Sequence, residues 1–300
     1  MSAIARIFWK YEGPTWILAV AVYGAWFLLV WYHALIPWWL MIPLGGYVIA
    51  WQFSLQHETI HGFRSVPAWV RFAIAFPPLG LWFPYPLYRK SHSIHHRNTY
   101  LTVPGEDTES YYVRKAEWAR MGKIGRGILI VNQTLAGRML LGPPFRLWKL
   151  FGREVARVRR GDRSHLKHWA VQVVAVGVLF WFVSGVAGMP WWQYVLLMAY
   201  PGFSLSLLRA FIEHRAGPRP GERTASVESN HVFGLLFLYN NLHIVHHLKP
   251  TMPWYEIPGY YWTNREKLMK HNSNFVFRGY GELVRKYLFK PVFHPIHPLL

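Results

Sequence analysis

Cysteine is absent from the 300-residue chain. Disulfides, thiolate zinc sites, iron–sulfur clusters and cysteine nucleophiles are therefore excluded. Charge is scarce as well. Asp, Glu, Lys and Arg make up 16% of the residues, against about 25% in an ordinary soluble domain. None occurs between Glu12 and Glu58 or between Lys167 and Arg209, gaps of 45 and 41 residues. Each gap is about twice the ~20 apolar residues that cross a bilayer core. Acidic residues are the rarest charged type, 14 Asp+Glu against 33 Lys+Arg, giving a net charge of +19. Such a balance points to nucleic acid or to an anionic membrane surface. No nucleic-acid-binding motif is present and the basic residues flank the apolar runs, so the membrane surface accounts for the charge and no nucleic-acid partner is expected.

What the chain has in abundance is apolar and aromatic: 52% hydrophobic, 18% aromatic, with 17 Trp. Ile36-Pro37 interrupts the first charge-free run near its middle, and Gly188-Met189-Pro190 interrupts the second. Two helical hairpins follow, with spans at about 16–35 and 37–56 and at about 169–187 and 191–208. Trp31, Trp38, Trp39, Trp191 and Trp192 stand beside the turns, where an interfacial aromatic belt belongs. Buried helices of a soluble protein seldom need so long an uncharged run. The first run also lacks a small-residue cleavage site, which argues against a removed signal peptide.

Basic residues set the orientation. Residues 89–167 hold 17 Lys+Arg against 6 Asp+Glu, residues 215–300 hold 11 more Lys+Arg, and both hairpin turns are uncharged. The positive-inside rule puts both termini and a cap made of about 89–167 and 214–300 in the cytoplasm. Val66 to Tyr88 is apolar but carries Arg71 and five prolines, a poor straight span. It reads as a re-entrant or interfacial segment. With no internal repeat or linker, the prediction is one all-α membrane domain over 1–300: four transmembrane helices in two hairpins and a helical cytoplasmic cap.

Nine of the 16 histidines fall in a pattern. His57 and His61 stand four apart after the second span. His92, His95 and His96 have i, i+3, i+4 spacing, and His243, His246 and His247 repeat it. His214 follows the fourth span. On a helix these spacings share a face, so each motif offers two or three imidazoles to one point on the cytoplasmic side. Imidazole suits iron, zinc, copper and nickel. Nine ligands exceed the needs of one metal, and two metals are the economical count.

The order HxxxH, HxxHH, HxxHH with two helical hairpins resembles the membrane fatty-acid desaturase/hydroxylase superfamily, over most of the chain from the first span to about Pro258. The resemblance implies two iron ions and O₂ as co-substrate, oxidising an aliphatic C–H of a lipid, foremost a fatty acyl chain, with a carotenoid or other isoprenoid hydroxylase or ketolase as the alternative. It also implies that His214 completes the site, with His231 as a substitute. The run Asn240 to His247, with Pro250 and Pro253-Trp254-Tyr255, looks like bacterial members, which implies a bacterial cell membrane. His243 stands where front-end desaturases have Gln, which argues against that subclass. With no cysteines and no fused cytochrome domain, electrons must come from a separate ferredoxin, rubredoxin or cytochrome b5 type of donor with its reductase.

His57-Glu58-Thr59-Ile60-His61 also reads HExxH, the zinc-protease signature in which the glutamate is the general base. That reading leaves both HxxHH motifs without a purpose. In the oxygenase reading Glu58 orients an imidazole, as metal-bound histidines require, and Asn241 and Asn98 are further candidates for that work. The acidic run Glu106-Asp107-Thr108-Glu109 reads as a solvated loop, ahead of a role in ordering histidines or recruiting an electron donor. His33 reads as interfacial, His165 and His168 as headgroup contacts, and His271, His294 and His297 as solvated tail residues.

Overall fold

The computed structural model describes residues 2–97 and 100–300. The chain is helical, and among the described residues the only paired strands are two of two residues each. It forms two compact units, Met1–Arg89 with Phe145–Ser206, and Lys90–Pro144 with Leu207–Leu300.

In the first unit α1 (Ala3–Lys10) leads into α2 (Gly13–Trp31), and a 3₁₀ turn (His33–Leu35) joins α2 to α3 (Trp38–His61). Both helices lie in the first charge-free run, and α3 runs on to carry His57 and His61 on its last turns. Then come α4 (Ala68–Ala75) and the start of α5 (Tyr85–Arg97). After the second half of α8, described below, α9 (Leu166–Phe180) continues as a π-helical turn to Val186. The return arm is α10 (Trp191–Tyr194), a π-helical stretch Val195–Ala199 and α11 (Tyr200–Ala210).

Gly13–Trp31 and Leu166–Val186 are long and apolar enough to cross a bilayer. Four spans had been expected. α3 and the 191–210 arm fall short of that standard because the helices put polar side chains on inner faces. Gln52 and Gln56 of α3 and Tyr194 of α10 are buried.

Those polar groups have a purpose. Between α4 and α5 the chain is irregular, and its carbonyls need donors that lipid cannot give. Tyr23 donates to Ile74 O. Gln56 donates to Ala75 O at 2.8 Å, Gln52 to Pro77 O at 3.0 Å, Tyr194 to Leu79 O at 2.7 Å and Gln172 to Leu81 O at 2.8 Å. The prolines that spoil a straight span are thus accommodated by five donors from four helices.

Close backbone approach holds α3 to the return arm. A Cβ on Gly202 would lie 2.4 Å from Ile49 Cβ, and one on Gly45 would lie 2.5 Å from Met198 Cγ. Small residues at such contacts are how apolar helices pack without a hydrophobic drive. At the far end of α3, Glu12 is buried and accepts from the backbone N–H of Phe63 (3.1 Å) and Ser65 (3.3 Å). Phe63 needs that anchor, because its φ is +54°, outside the range bulky residues prefer.

The second unit holds the end of α5, α6 (Lys115–Arg120), α7 (Lys123–Val131) and the first half of α8 (Leu135–Arg159). After α11 come β1 (Ser226–Val227), α12 (His231–Leu236), α13 (His243–Leu248), α14 (Ile257–His271), β2 (Val276–Phe277) and α15 (Tyr280–Tyr287). The strands pair in parallel, Ser226 with Val276 and Val227 with Phe277. Its core packs Leu242, Ile244 and Val245 around α13 against Ile257, Tyr261, Leu268 and Met269 of α14.

Residues from Phe145 to Lys167 group with the first unit. Within that stretch Glu154 accepts from His165 Nδ1 and Trp169 Nε1, both at 3.0 Å. His165 is thus an internal partner and not a headgroup contact.

Tyr194→Phe tests the re-entrant packing. It strips the donor from Leu79 O and the acceptor from Trp26 Nε1, which stands 3.0 Å from the hydroxyl. A loss of about 1–3 kcal/mol is expected, read as a lowered thermal midpoint in detergent. An unchanged midpoint would count against it.

Candidate metal centre

Two helices of the second unit carry the HxxHH motifs. α5 begins at Tyr85-Pro86, where proline suits a first turn, and ends in His92, His95 and His96. α13 carries His243, His246 and His247. His214 lies just past α11 in a hairpin closed by Arg215 N to Arg223 O (3.0 Å) and Ala225 N to Glu213 O (2.9 Å).

These seven imidazoles meet as two neighbouring groups. His95, His214, His243 and His247 bring their ligand nitrogens within 4.8 Å of one another, and so do His92, His96 and His246. Each motif was expected to serve a single point, and that expectation is corrected. His92 and His96 serve one group and His95 the other, while His243 and His247 serve the second group and His246 the first. The groups touch where the His96 and His247 rings stack at 4.5 Å. His57 and His61 lie one turn apart on α3, buried, with ring centroids 5.1 Å apart.

The far nitrogens are engaged. His95 Nδ1 donates to Asp107 Oδ1 at 2.8 Å and His92 Nδ1 to Glu109 Oε1 at 2.9 Å. His243 Nδ1 donates to Asn240 Oδ1 at 2.9 Å, with Glu213 Oε1 3.3 Å away. His214 Nδ1 donates to Arg223 O at 3.2 Å. All four partners only accept, so each Nδ1 holds a proton, and those rings that are neutral present a bare Nε2 lone pair. His95 Nε2 stands 3.1 Å from His214 Nε2, and the Nε2 atoms of His214 and His243, both kept neutral by burial, are also 3.1 Å apart. Lone pairs facing each other at that distance call for a cation.

The charges agree. Asp107 and Glu213 are buried beside the rings, with Glu109 partly so. Burial lowers the pKa of His92, brings His214 down to about 3, and puts His243 and His247 well below the ordinary value, with neighbouring imidazoles adding to the last two. Neutral imidazole is the metal-binding form. His95 alone goes up, to about 9: burial opposes its protonation, but Glu109, Asp107 and Glu213 outweigh that. Burial raises Glu213 to about 7 against the pull of Arg209. Asp107 moves down although burial resists, because His95 and the N–H groups of Glu109 and Thr102 stabilise the carboxylate. A metal ion would supply the positive charge this pocket otherwise takes as a proton.

The acidic run after the second motif is therefore no solvated loop. Its sequence signal was two acids spaced like a pair of ligand partners in an otherwise basic stretch. Asn241, expected to orient an imidazole, instead donates to Val227 O at 2.7 Å and holds β1. Its neighbour Asn240 does the orienting. Asn98 lies outside the described residues. His231 is exposed and contacts Tyr239 OH at 2.8 Å, away from both groups, whereas His214 is within one. His297, expected to be solvated, is 2% exposed. Glu58 is buried, its carboxylate lying in the space that a Cβ on Gly62 would occupy, 2.3 Å from Oε1.

The Fatty acid desaturase family model matches residues 34–279. The chain belongs to that family. It is accordingly a membrane oxidoreductase of the desaturase and hydroxylase type, acting on a lipid, and its histidine groups are of the kind found in di-iron oxygenases. Comparison with curated proteins finds no match.

Asp107→Ala should weaken metal binding about 10–100-fold, the usual cost of losing a partner that orients a ligand. His231→Ala should leave it unchanged. Metal titration of both variants checks the pair, and the reverse ranking would contradict the assignment.

Proposed function

We propose that the centre holds two iron ions and that the enzyme uses O₂ and two electrons to desaturate or hydroxylate an aliphatic C–H of a fatty acyl chain. His92, His96 and His246 make the first group and His95, His214, His243 and His247 the second, and the histidine spacing of the sequence makes His57 and His61 further ligands. The observation that carries this reading is the bare Nε2 lone pairs of neutral His214 and His243, which face each other beside buried carboxylates. Bound iron would supply the O₂ and redox chemistry that zinc cannot.

The chain's own residues do the rest. Asp107, Glu109, Asn240 and the Arg223 carbonyl hold the Nδ1 protons, so the tautomers and ring planes are set before any metal arrives. Glu213 adds negative charge beside His243. Burial of His92, His95, His243 and His246 keeps bulk water from the ligand atoms. Electrons come from a separate ferredoxin, rubredoxin or cytochrome b5 type of donor. α3 and the 191–210 arm serve as two further spans, so that the chain crosses a bacterial cell membrane four times with both termini and the histidines on the cytoplasmic side.

Purified protein should contain about two irons per chain, as two groups of imidazole donors suggest, and lipid analysis should show an oxidised acyl product only with O₂ and a reductant. One stoichiometric zinc and no iron would sink the proposal. Glu58→Gln should cost no more than the roughly 10–100-fold of an orienting residue and keep the O₂ requirement. Activity that survives without O₂ and vanishes in Glu58→Gln would restore the protease reading.

Topology has its own test, made clean by the absence of native thiols. Trp191 is exposed beside the second hairpin turn. A cysteine there should react with an impermeant reagent from the outer side, and reaction from the cytoplasmic side alone would overturn the four-span arrangement.

A further inference from the structure

Residues 295–297 run beside the loop that carries Asp107 and Glu109, beyond the stretch matched by the family. Val113 N–H donates to Pro295 O at 2.9 Å, and His297 N–H to Val113 O at 3.0 Å. The His297 ring is buried, edge-on to Tyr112 at 5.2 Å. Its Nδ1 accepts from Leu299 N–H at 3.3 Å, so the neutral ring carries its proton on Nε2. Burial lowers its pKa and favours that neutral form. Nε2 lies 3.2 Å from Thr102 Oγ1, which accepts the proton's hydrogen bond.

Thr102 is the unusual link. Its φ is +74°, a left-handed conformation that a β-branched residue adopts only when its surroundings enforce it. In that conformation its N–H donates to Asp107 Oδ2 at 2.8 Å, while Asp107 Oδ1 accepts from His95 Nδ1 at 2.8 Å. Three donors in series thus join the tail to a metal-binding imidazole: His297 to Thr102, Thr102 to Asp107, and His95 to Asp107 from the other side.

We propose that His297 is a positioning residue for the metal centre, locking Thr102 in its left-handed conformation so that Asp107 holds the His95 ring with Nε2 aimed at the metal. This rests on the metal-centre reading above. The strap needs an N–H at the Nε2 position and not merely a ring in the space. Phenylalanine would fill the space without the N–H, and glutamine would restore a donor close to it.

The test is cobalt(II) titration of the full-length, metal-stripped protein in detergent, following affinity and the d–d absorption bands, with thermal melts to confirm folding. His297→Phe and Thr102→Val should each weaken binding about 10-fold, in the range seen when support for a ligand is lost, and shift the bands. Together they should do little more than either alone, because they cut the same link. His297→Gln should bind and absorb nearly as the wild type does. The proposal fails if His297→Phe matches the wild type, if His297→Gln is as poor as His297→Phe, or if the two losses simply add. A wild type that binds no cobalt overturns the metal-centre reading itself, whereas a wild type that binds beside an indifferent His297→Phe overturns this inference alone.

Discussion

Imidazole nitrogens that have given their only proton elsewhere cannot satisfy one another. That constraint governs the centre. Asp107, Glu109, Asn240 and the Arg223 carbonyl each take an Nδ1 proton. What remains at the middle, between neutral His214 and His243, is two lone pairs 3.1 Å apart with no hydrogen between them. In a buried site such an arrangement is repulsive unless a positive charge sits among the nitrogens. The elements around it can be read as scaffolding: α5 and α13 supply rings from helices, the 213–225 hairpin supplies His214 and its carbonyl partner, and the 102–113 loop supplies carboxylates.

A second constraint acts on the spans. Irregular backbone inside an apolar bundle must find donors within the protein. The chain from Ile74 to Leu81 finds them in Tyr23, Gln56, Gln52, Tyr194 and Gln172. Those side chains look like blemishes in the hydropathy of the helices that carry them. They are what lets a proline-rich segment turn within the bundle and deliver the chain to α5, whose first residue, Tyr85, contacts Thr59 of α3 through a 2.9 Å hydroxyl pair.

Much of this was legible in the sequence because it is periodic. Charge-free runs marked the apolar helices, and histidine spacing marked the converging imidazoles and the family. What stayed hidden depends on contacts distant in sequence. The glutamines could not be matched to carbonyls 19 to 91 residues away. Asn240 and Asn241 are adjacent, and only the turn before α13, with Leu238 and Tyr239 at positive φ, decides which of them meets His243. His297 looked like a tail residue because nothing local shows that it pairs with Thr102, 195 positions earlier. The acids after the second motif were the misranked reading, since a role in ordering histidines stood second to a solvated loop and is what Asp107 and Glu109 do.

The division of each motif between two groups follows from helix geometry and explains why the motif occurs twice. Residues i and i+4 are rotated by only ~40° about the axis, whereas i+3 lies ~60° to the other side of i. An i, i+4 pair can therefore share one metal while i+3 leans toward a neighbouring one. α5 gives its pair, His92 and His96, to the first group and its i+3 residue, His95, to the second. α13 does the reverse, giving His243 and His247 to the second and His246 to the first. Neither helix can complete a group alone, and each supplies the single ligand the other lacks. Two copies of one spacing, used in opposite senses, thus place two binding points side by side, and the stacked rings of His96 and His247 mark where they meet.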